Sequence, residues 1–214
     1  MVGSSAREEE KRYQETLTKA LADFRARSPF NMAAKSGTSY RDGQFEIKFF
    51  NRRFYLSHPE GDIQEAGTPD EIGAPPPTWI KVILLHYLIT ASGVDLADQW
   101  ITYRQLPGAF LFERRFESMA TGRLRQAFGN DIEGFRRAGR ALGGEPMDRT
   151  GDAAFIFMAL PRVRMACILY LGDEEVLPSV NVLFDASVPH YLPTEDLSVV
   201  GSYLAGALAR LKGS

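Results

Sequence analysis

The 214 residues carry 44% hydrophobic and 24% charged side chains, the proportions of an ordinary globular protein rather than a disordered or fibrous one. A formal net charge of -2 excludes long-range attraction to a polyanion as the organising theme, so nucleic acid is not an expected partner. The single cysteine, Cys167, excludes an internal disulfide and any zinc or iron–sulfur site built on this chain's own thiolates, which takes several cysteines.

The start, residues 1–12, is polar and charged with no apolar stretch behind it, so no signal peptide is expected. The longest apolar run, Trp79 to Ile89, is interrupted by Lys81 and His86 and falls short of the about 20 residues that span a bilayer. A cytoplasmic protein with no membrane partner is the expectation. The length suits one large domain covering residues 1–214.

Residues 6–27 read as a helix, because Tyr13, Leu17, Leu21 and Phe24 fall on one stripe and Ser28-Pro29 ends it. Residues 44–50 alternate around Phe45, Ile47 and Phe49, and residues 54–56 resume after Asn51-Arg52, which predicts a hairpin. Two glycines and four prolines within residues 67–77 predict a loop. Residues 78–91 predict a buried helix, apolar around almost its whole circumference and stopped at Ser92-Gly93. Residues 100–112 are ambiguous around a turn at Pro107-Gly108, and helices follow over 113–128 and 131–142. Residues 153–160, 164–171 and 179–185 read as strands, antiparallel neighbours because their links are too short for a parallel crossover. Residues 194–211 form an amphipathic helix with Leu197, Val200, Leu204, Leu208 and Leu211 on one stripe, Thr194 as N-cap, and Glu195 and Asp196 complementing the dipole. The expected fold is α+β: an antiparallel sheet of hairpin-connected strands packed against a buried central helix and the terminal helices.

Functional groups are densest in LFDASVPHYLPTEDL, residues 183–197, between a strand end and the last helix. Pro189 and Pro193 bracket His190, which can serve there as a general base, a metal ligand or an axial ligand to a tetrapyrrole. The plainer alternative is a crossover shaped by the prolines. His86, four residues before Thr90 on the apolar helix, suits either a ligand role or a core histidine bonded to backbone. His58 lies in a Pro-Gly turn and carries little weight, and Cys167 reads as a small buried hydrophobe. Arg114, Arg115, Arg123, Arg125, Arg136, Arg137 and Arg140 lie close together, with Arg104 nearby. They can hold an anionic ligand or an acidic partner, or simply solvate two helix faces. Nucleophile-elbow, P-loop, dinucleotide and helical zinc motifs are absent.

Leu84-Leu85-His86-Tyr87-Leu88, the run from Tyr103 to Gly108, Gly151-Asp152-Ala153-Ala154-Phe155, Leu160-Pro161-Arg162-Val163 and above all Pro189-His190-Tyr191-Leu192-Pro193-Thr194 carry a resemblance. From first helix to last the chain resembles the domain-of-unknown-function family numbered thirty-seven eighty-six, of mostly anaerobic bacteria and archaea. The resemblance implies relatives fused to a four-cysteine iron–sulfur module like those of corrinoid-dependent methyl transfer. This sequence departs from that pattern in having only Cys167, so it holds no intrinsic iron–sulfur cluster. The leading expectation is a non-enzymatic binding or accessory domain of anaerobic cofactor metabolism, taking a corrinoid (cobalamin) or haem-like tetrapyrrole and partnering an iron–sulfur or corrinoid protein. Its cofactor-binding residues would be His190 as axial ligand, His86 as a supporting or opposite-face group, Arg104 as an anion contact, and Asp185. One alternative is a hydrolase or transferase with His190 as base and Asp185 or Glu195 as orienting carboxylate. Another is an interaction domain whose arginine helices face an acidic partner.

Overall fold

A computed structural model describes residues 2–67 and 75–212, with backbone alone for residues 2–6, and the chain forms two compact units. The greater part of the predicted 67–77 loop, residues 68–74, lies outside the described residues.

The first unit runs over Met1–Val94 and takes in His190–Leu192. Helix α1 (Val2–Arg25) packs on α3 (Thr78–Thr90); of the predicted stripe Phe24 is buried and Tyr13, Leu17 and Leu21 are half-buried, and Ala20 is buried beside them. Ser28-Pro29 ends α1 as expected, but Pro29 also opens an unpredicted helix, α2 (Pro29–Ser36). Proline suits that first position because its φ is already helical and the missing N–H would have no partner there. The unit's sheet is an antiparallel meander in the order β1 (Ser39–Arg41), β2 (Gln44–Phe49), β3 (Arg52–Ser57), β4 (Ile63–Glu65). Phe45 stands opposite Leu56 and Ile47 opposite Phe54, so the alternation read from the sequence becomes one wholly buried sheet face. The β1–β2 turn is Asp42-Gly43, both at positive φ, the geometry a two-residue hairpin requires. Helix α3 buries Ile80, Val82, Ile83, Leu84, Leu85, Tyr87 and Leu88. It is not covered all round: Trp79, His86 and Thr90, seven and four residues apart, form a half-buried stripe.

The second unit comprises Asp95–Pro189 and Pro193–Ser214. Its five-stranded antiparallel sheet has the order β5-β9-β8-β7-β6, from β5 (Trp100–Thr102), β6 (Glu145–Pro146), β7 (Ala153–Leu160), β8 (Val163–Tyr170) and β9 (Ser179–Asp185). The three long strands stand where the sequence places them. The ambiguous run resolves into the edge strand β5 and two 3-10 turns, Tyr103–Gln105 and Ala109–Leu111. The predicted 113–128 helix is interrupted: α4 (Glu113–Phe116) and α5 (Arg123–Phe128) flank a π-helical stretch, Glu117–Gly122. Helix α6 (Ile132–Ala141) is capped by Asp131, whose Oδ1 accepts from the Gly134 N–H at 2.8 Å. Helix α7 (Thr194–Leu211) packs on α4, α5 and α6 through the predicted leucine stripe. Thr194 is not its cap. Pro193 holds that position, while the Thr194 hydroxyl donates to the Pro107 carbonyl at 2.7 Å and fastens the helix start to the 3-10 turns.

The architecture is therefore α+β, with the strands divided between two antiparallel sheets rather than gathered into one. Among the described residues no helix is long and apolar enough to cross a membrane.

Candidate functional site

The 183–197 segment distributes its functional groups among different tasks. Asp185 ends β9 between Trp100 on β5 and, one rung past the Met165–Phe184 pair, Arg164 on β8. It is wholly buried, and its two oxygens accept four hydrogen bonds. Oδ1 takes those from the N–H groups of Ala97 (2.9 Å) and Ser187 (3.0 Å) and from the Ser187 hydroxyl (2.6 Å); Oδ2 takes one from Arg164 (2.9 Å). Burial alone would push its pKa up, but the bonds from Ser187, Ala97 and Arg164 outweigh it and hold the carboxyl below its ordinary value. Arg164 in turn pairs with Asp98 and stacks its guanidinium 5.0 Å from the Trp100 ring centre. Burial works against its charge, yet the two carboxylates keep its pKa above the ordinary arginine value. The Arg164 Nε is buried without a hydrogen-bond partner. An ionised Asp185, buried on four hydrogen bonds, holds a strand end together.

His190 is exposed, at the end of a 3-10 turn (Val188–His190) in the first unit's excursion. Its carbonyl accepts from the Ser92 N–H at 3.2 Å, just past α3, while its imidazole makes no hydrogen bond among the described residues. Tyr191 and Leu192, next in sequence, are fully buried and anchor the turn: the Tyr191 hydroxyl donates to the Val94 carbonyl and its ring lies 6.1 Å from that of Tyr87. His86 belongs to the same unit, on the half-buried stripe of α3. Asp185, Arg104 and Glu195 belong to the second.

Arg104 projects from its 3-10 turn with 80% of its side chain exposed, 3.4 Å from Glu113. Glu195 is exposed in the first turn of α7. The Tyr103 phenol is pushed up to about 12, by burial first and then by the Glu195 charge, against a lowering bond with Ser198. Its hydroxyl donates to the Thr194 carbonyl at 3.0 Å. The Cys167 thiol, wholly buried in β8, is pushed up by desolvation and is not a nucleophile at neutral pH. Among the described residues no three histidine, cysteine or acidic side chains converge as a metal site would require.

Two features escaped the sequence reading. The His58 ring sits edge-on to Phe24 at 4.9 Å and beside Tyr40 and Phe45, its Nε2 buried without a partner. The arginine-rich stretch also does not form one face. Arg136 and Arg140, one turn apart on α6, line a groove of about 210 Å³ whose opposite wall is the loop from Pro146 to Asp152, with Arg149 at its bend. The Gly-Asp-Ala-Ala-Phe string that carries part of the family resemblance lines this groove and is the signal that could have pointed toward it.

Residues 28–207 match the family model described as Domain of unknown function (DUF3786). No curated protein and no solved structure matches the chain.

Proposed function

The chain belongs to the family described as Domain of unknown function (DUF3786), and we propose that it is a cytoplasmic binding or accessory domain of anaerobic cofactor metabolism rather than a hydrolase or transferase. One observation carries this reading: the His190 imidazole is exposed, without a hydrogen-bond partner among the described residues, on a turn whose backbone bonds Ser92 and whose next residue, Tyr191, is buried. A general base works best when a second group fixes its tautomer and orientation. A ligand to an incoming metal centre needs a rigid mount and an open nitrogen, which is what this turn offers. The bonds of Asp185 support the same choice, since they commit that carboxylate to Arg164, Ala97 and Ser187.

The ligand we propose is a corrinoid or haem-like tetrapyrrole, with His190 as axial ligand and His86 on the same unit as a supporting group. The test is an anoxic optical titration with cobalamin and haemin in parallel. A saturable spectral shift with one of them that is lost in His190→Ala is the expected outcome. Unchanged affinity in that variant sinks the axial assignment, and no shift with either compound sinks the ligand class.

A second reading is favoured by exposed apolar surface. Phe110 is 77% and Leu111 68% exposed on a 3-10 turn with Arg104 and Arg114 close in sequence, a surface suited to docking an acidic-rimmed iron–sulfur or corrinoid protein. Association with such a purified partner would weaken with salt and be lost in Phe110→Asp.

A further inference from the structure

We propose that the groove between α6 and the Pro146–Asp152 loop is a binding site for a small phosphorylated anion. The inference is independent of His190 and of any tetrapyrrole, because it rests on different residues in the second unit.

The groove brings three guanidinium groups together from two directions. Arg136 and Arg140 come from successive turns of α6, and Arg149 comes from the facing loop. Arg136 is already set in place: it bonds Glu133 at 2.8 Å and the Asp152 carbonyl at 3.3 Å. Arg140 and Arg149 are exposed and make no hydrogen bond or ion pair among the described residues. Two acids also line the groove, Asp148 and Asp152, the second accepting from the Leu171 N–H at 2.8 Å. The lining therefore holds three guanidinium groups against two carboxylates, and an entering anion meets Arg140 and Arg149 with no ion pair to break. Arg140 in the last turn of α6 also complements the helix dipole. That role does not account for Arg149, which no helix end requires.

The loop that presents Arg149 is held stiffly. Arg149 has φ +57, a conformation few non-glycine residues adopt, and such conformations gather at binding sites. Gly151, two residues on, has φ +60 and lies so close to β8 that a Cβ would meet the Ile168 side chain at 2.5 Å and the Leu169 carbonyl oxygen at 2.8 Å. The Asp152 N–H bonds that same carbonyl at 3.0 Å. The backbone beside Arg149 is thereby fixed where it lines the groove, and a preformed site costs less to occupy.

Size and shape select the ligand. About 210 Å³ lies below the roughly 300–1,000 Å³ of pockets for drug-sized molecules, so the groove takes a small anion and not a macrocycle. A planar carboxylate is satisfied by one guanidinium fork. Cations converging from two walls suit the tetrahedral oxygens of a phosphate.

The test uses the full chain, titrated at fixed ionic strength with inorganic phosphate and, separately, glycerol 3-phosphate, and read by amide and arginine Nε NMR shifts. The expected result is saturable movement of the Thr150 and Gly151 amides, with Kd weakened roughly tenfold in Arg140→Ala and in Arg149→Ala, the loss of one charge-assisted contact. Arg137→Ala, exposed on the same helix but outside the lining, should leave Kd unchanged. Tighter binding of the ester identifies an organic phosphate as ligand; equal binding identifies phosphate itself. The proposal is overturned by an absence of saturable shifts, by equal weakening in Arg137→Ala, or by succinate binding as well as phosphate.

Discussion

Asp185 accepts four hydrogen bonds inside a wholly buried strand end, and the nearest charge that balances it, Arg164, is only 18% exposed. Replacing the carboxylate by the isosteric amide keeps two acceptor positions for Ala97 and Ser187 but turns an N–H₂ donor toward the guanidinium. Asp185→Asn should therefore lower the unfolding free energy at neutral pH by about 3 kcal/mol, measured by urea denaturation. The pH dependence follows from the depressed pKa of the folded carboxyl. Its contribution is fully present above the unfolded value of about 3.9 and is lost as pH falls through the folded pKa. Wild type and variant should converge in stability on the acid side, and a gap that persisted undiminished there would show that packing, not charge, is what the substitution removes. Asp185 and His190 stood out in the sequence because functional groups crowd around them, and density alone could not separate their roles. The separation lies in partners distant along the chain: Arg164 is 21 residues and Ala97 88 residues from Asp185, the first brought to it by the register of β8 and the second by the segment that leads into β5.

Helix α6 and strand β7 meet at a glycine. A Cβ on Gly139 would stand 2.5–2.6 Å from the Phe155 ring, which is itself buried between Phe135 and Phe157 and has nowhere to retreat. Alanine favours an isolated helix over glycine by about 1 kcal/mol, but overpacking a close contact costs about 1–3 kcal/mol. Gly139→Ala should consequently lower the thermal midpoint instead of raising it; a raised midpoint would mean that α6 can shift away from the sheet. The elements that could be read from the sequence are those long enough to show a period: the stripe of α1, the β2–β3 alternation, β7 to β9, and the leucines of α7. Those that could not are the ones whose structure depends on a neighbour. Strands β1, β5 and β6 have three residues or fewer and exist only because β2, β9 and β7 offer an edge. The Pro29 that stops α1 begins α2 by the same fixed φ, and a stop and a start look alike in one dimension. Thr194 shows the same limit: it has the chemistry of a cap, and its hydroxyl is taken by Pro107, 87 residues away.

At the scale of the whole chain, the connection between units follows an unusual path. The chain leaves the first unit after Val94, returns to it for three residues, His190–Leu192, and ends in the second. The excursion supplies the first unit with two fully buried side chains. Tyr191 donates its hydroxyl to Val94 and places its ring beside Tyr87 of α3, and Leu192 is 1% exposed. Losing a buried aromatic or leucine side chain costs about 2–5 kcal/mol each, which approaches the roughly 5–15 kcal/mol that stabilises a whole domain. A fragment ending at Val94 is thus expected to retain helical far-ultraviolet dichroism while losing near-ultraviolet dichroism and amide dispersion, the signature of secondary structure without fixed packing. Within the full chain, Tyr191→Phe should cost only the hydroxyl's hydrogen bond, about 1 kcal/mol, and Tyr191→Ala about 3–5 kcal/mol. A fragment 1–94 as well dispersed and as stable as the same segment in the full chain would show that the excursion merely passes by. The expected loss instead makes Tyr191 and Leu192 core residues of the first unit. The turn that carries His190 is then fixed in place by the same two side chains that complete this core, which is how an exposed imidazole comes to be held on a rigid mount.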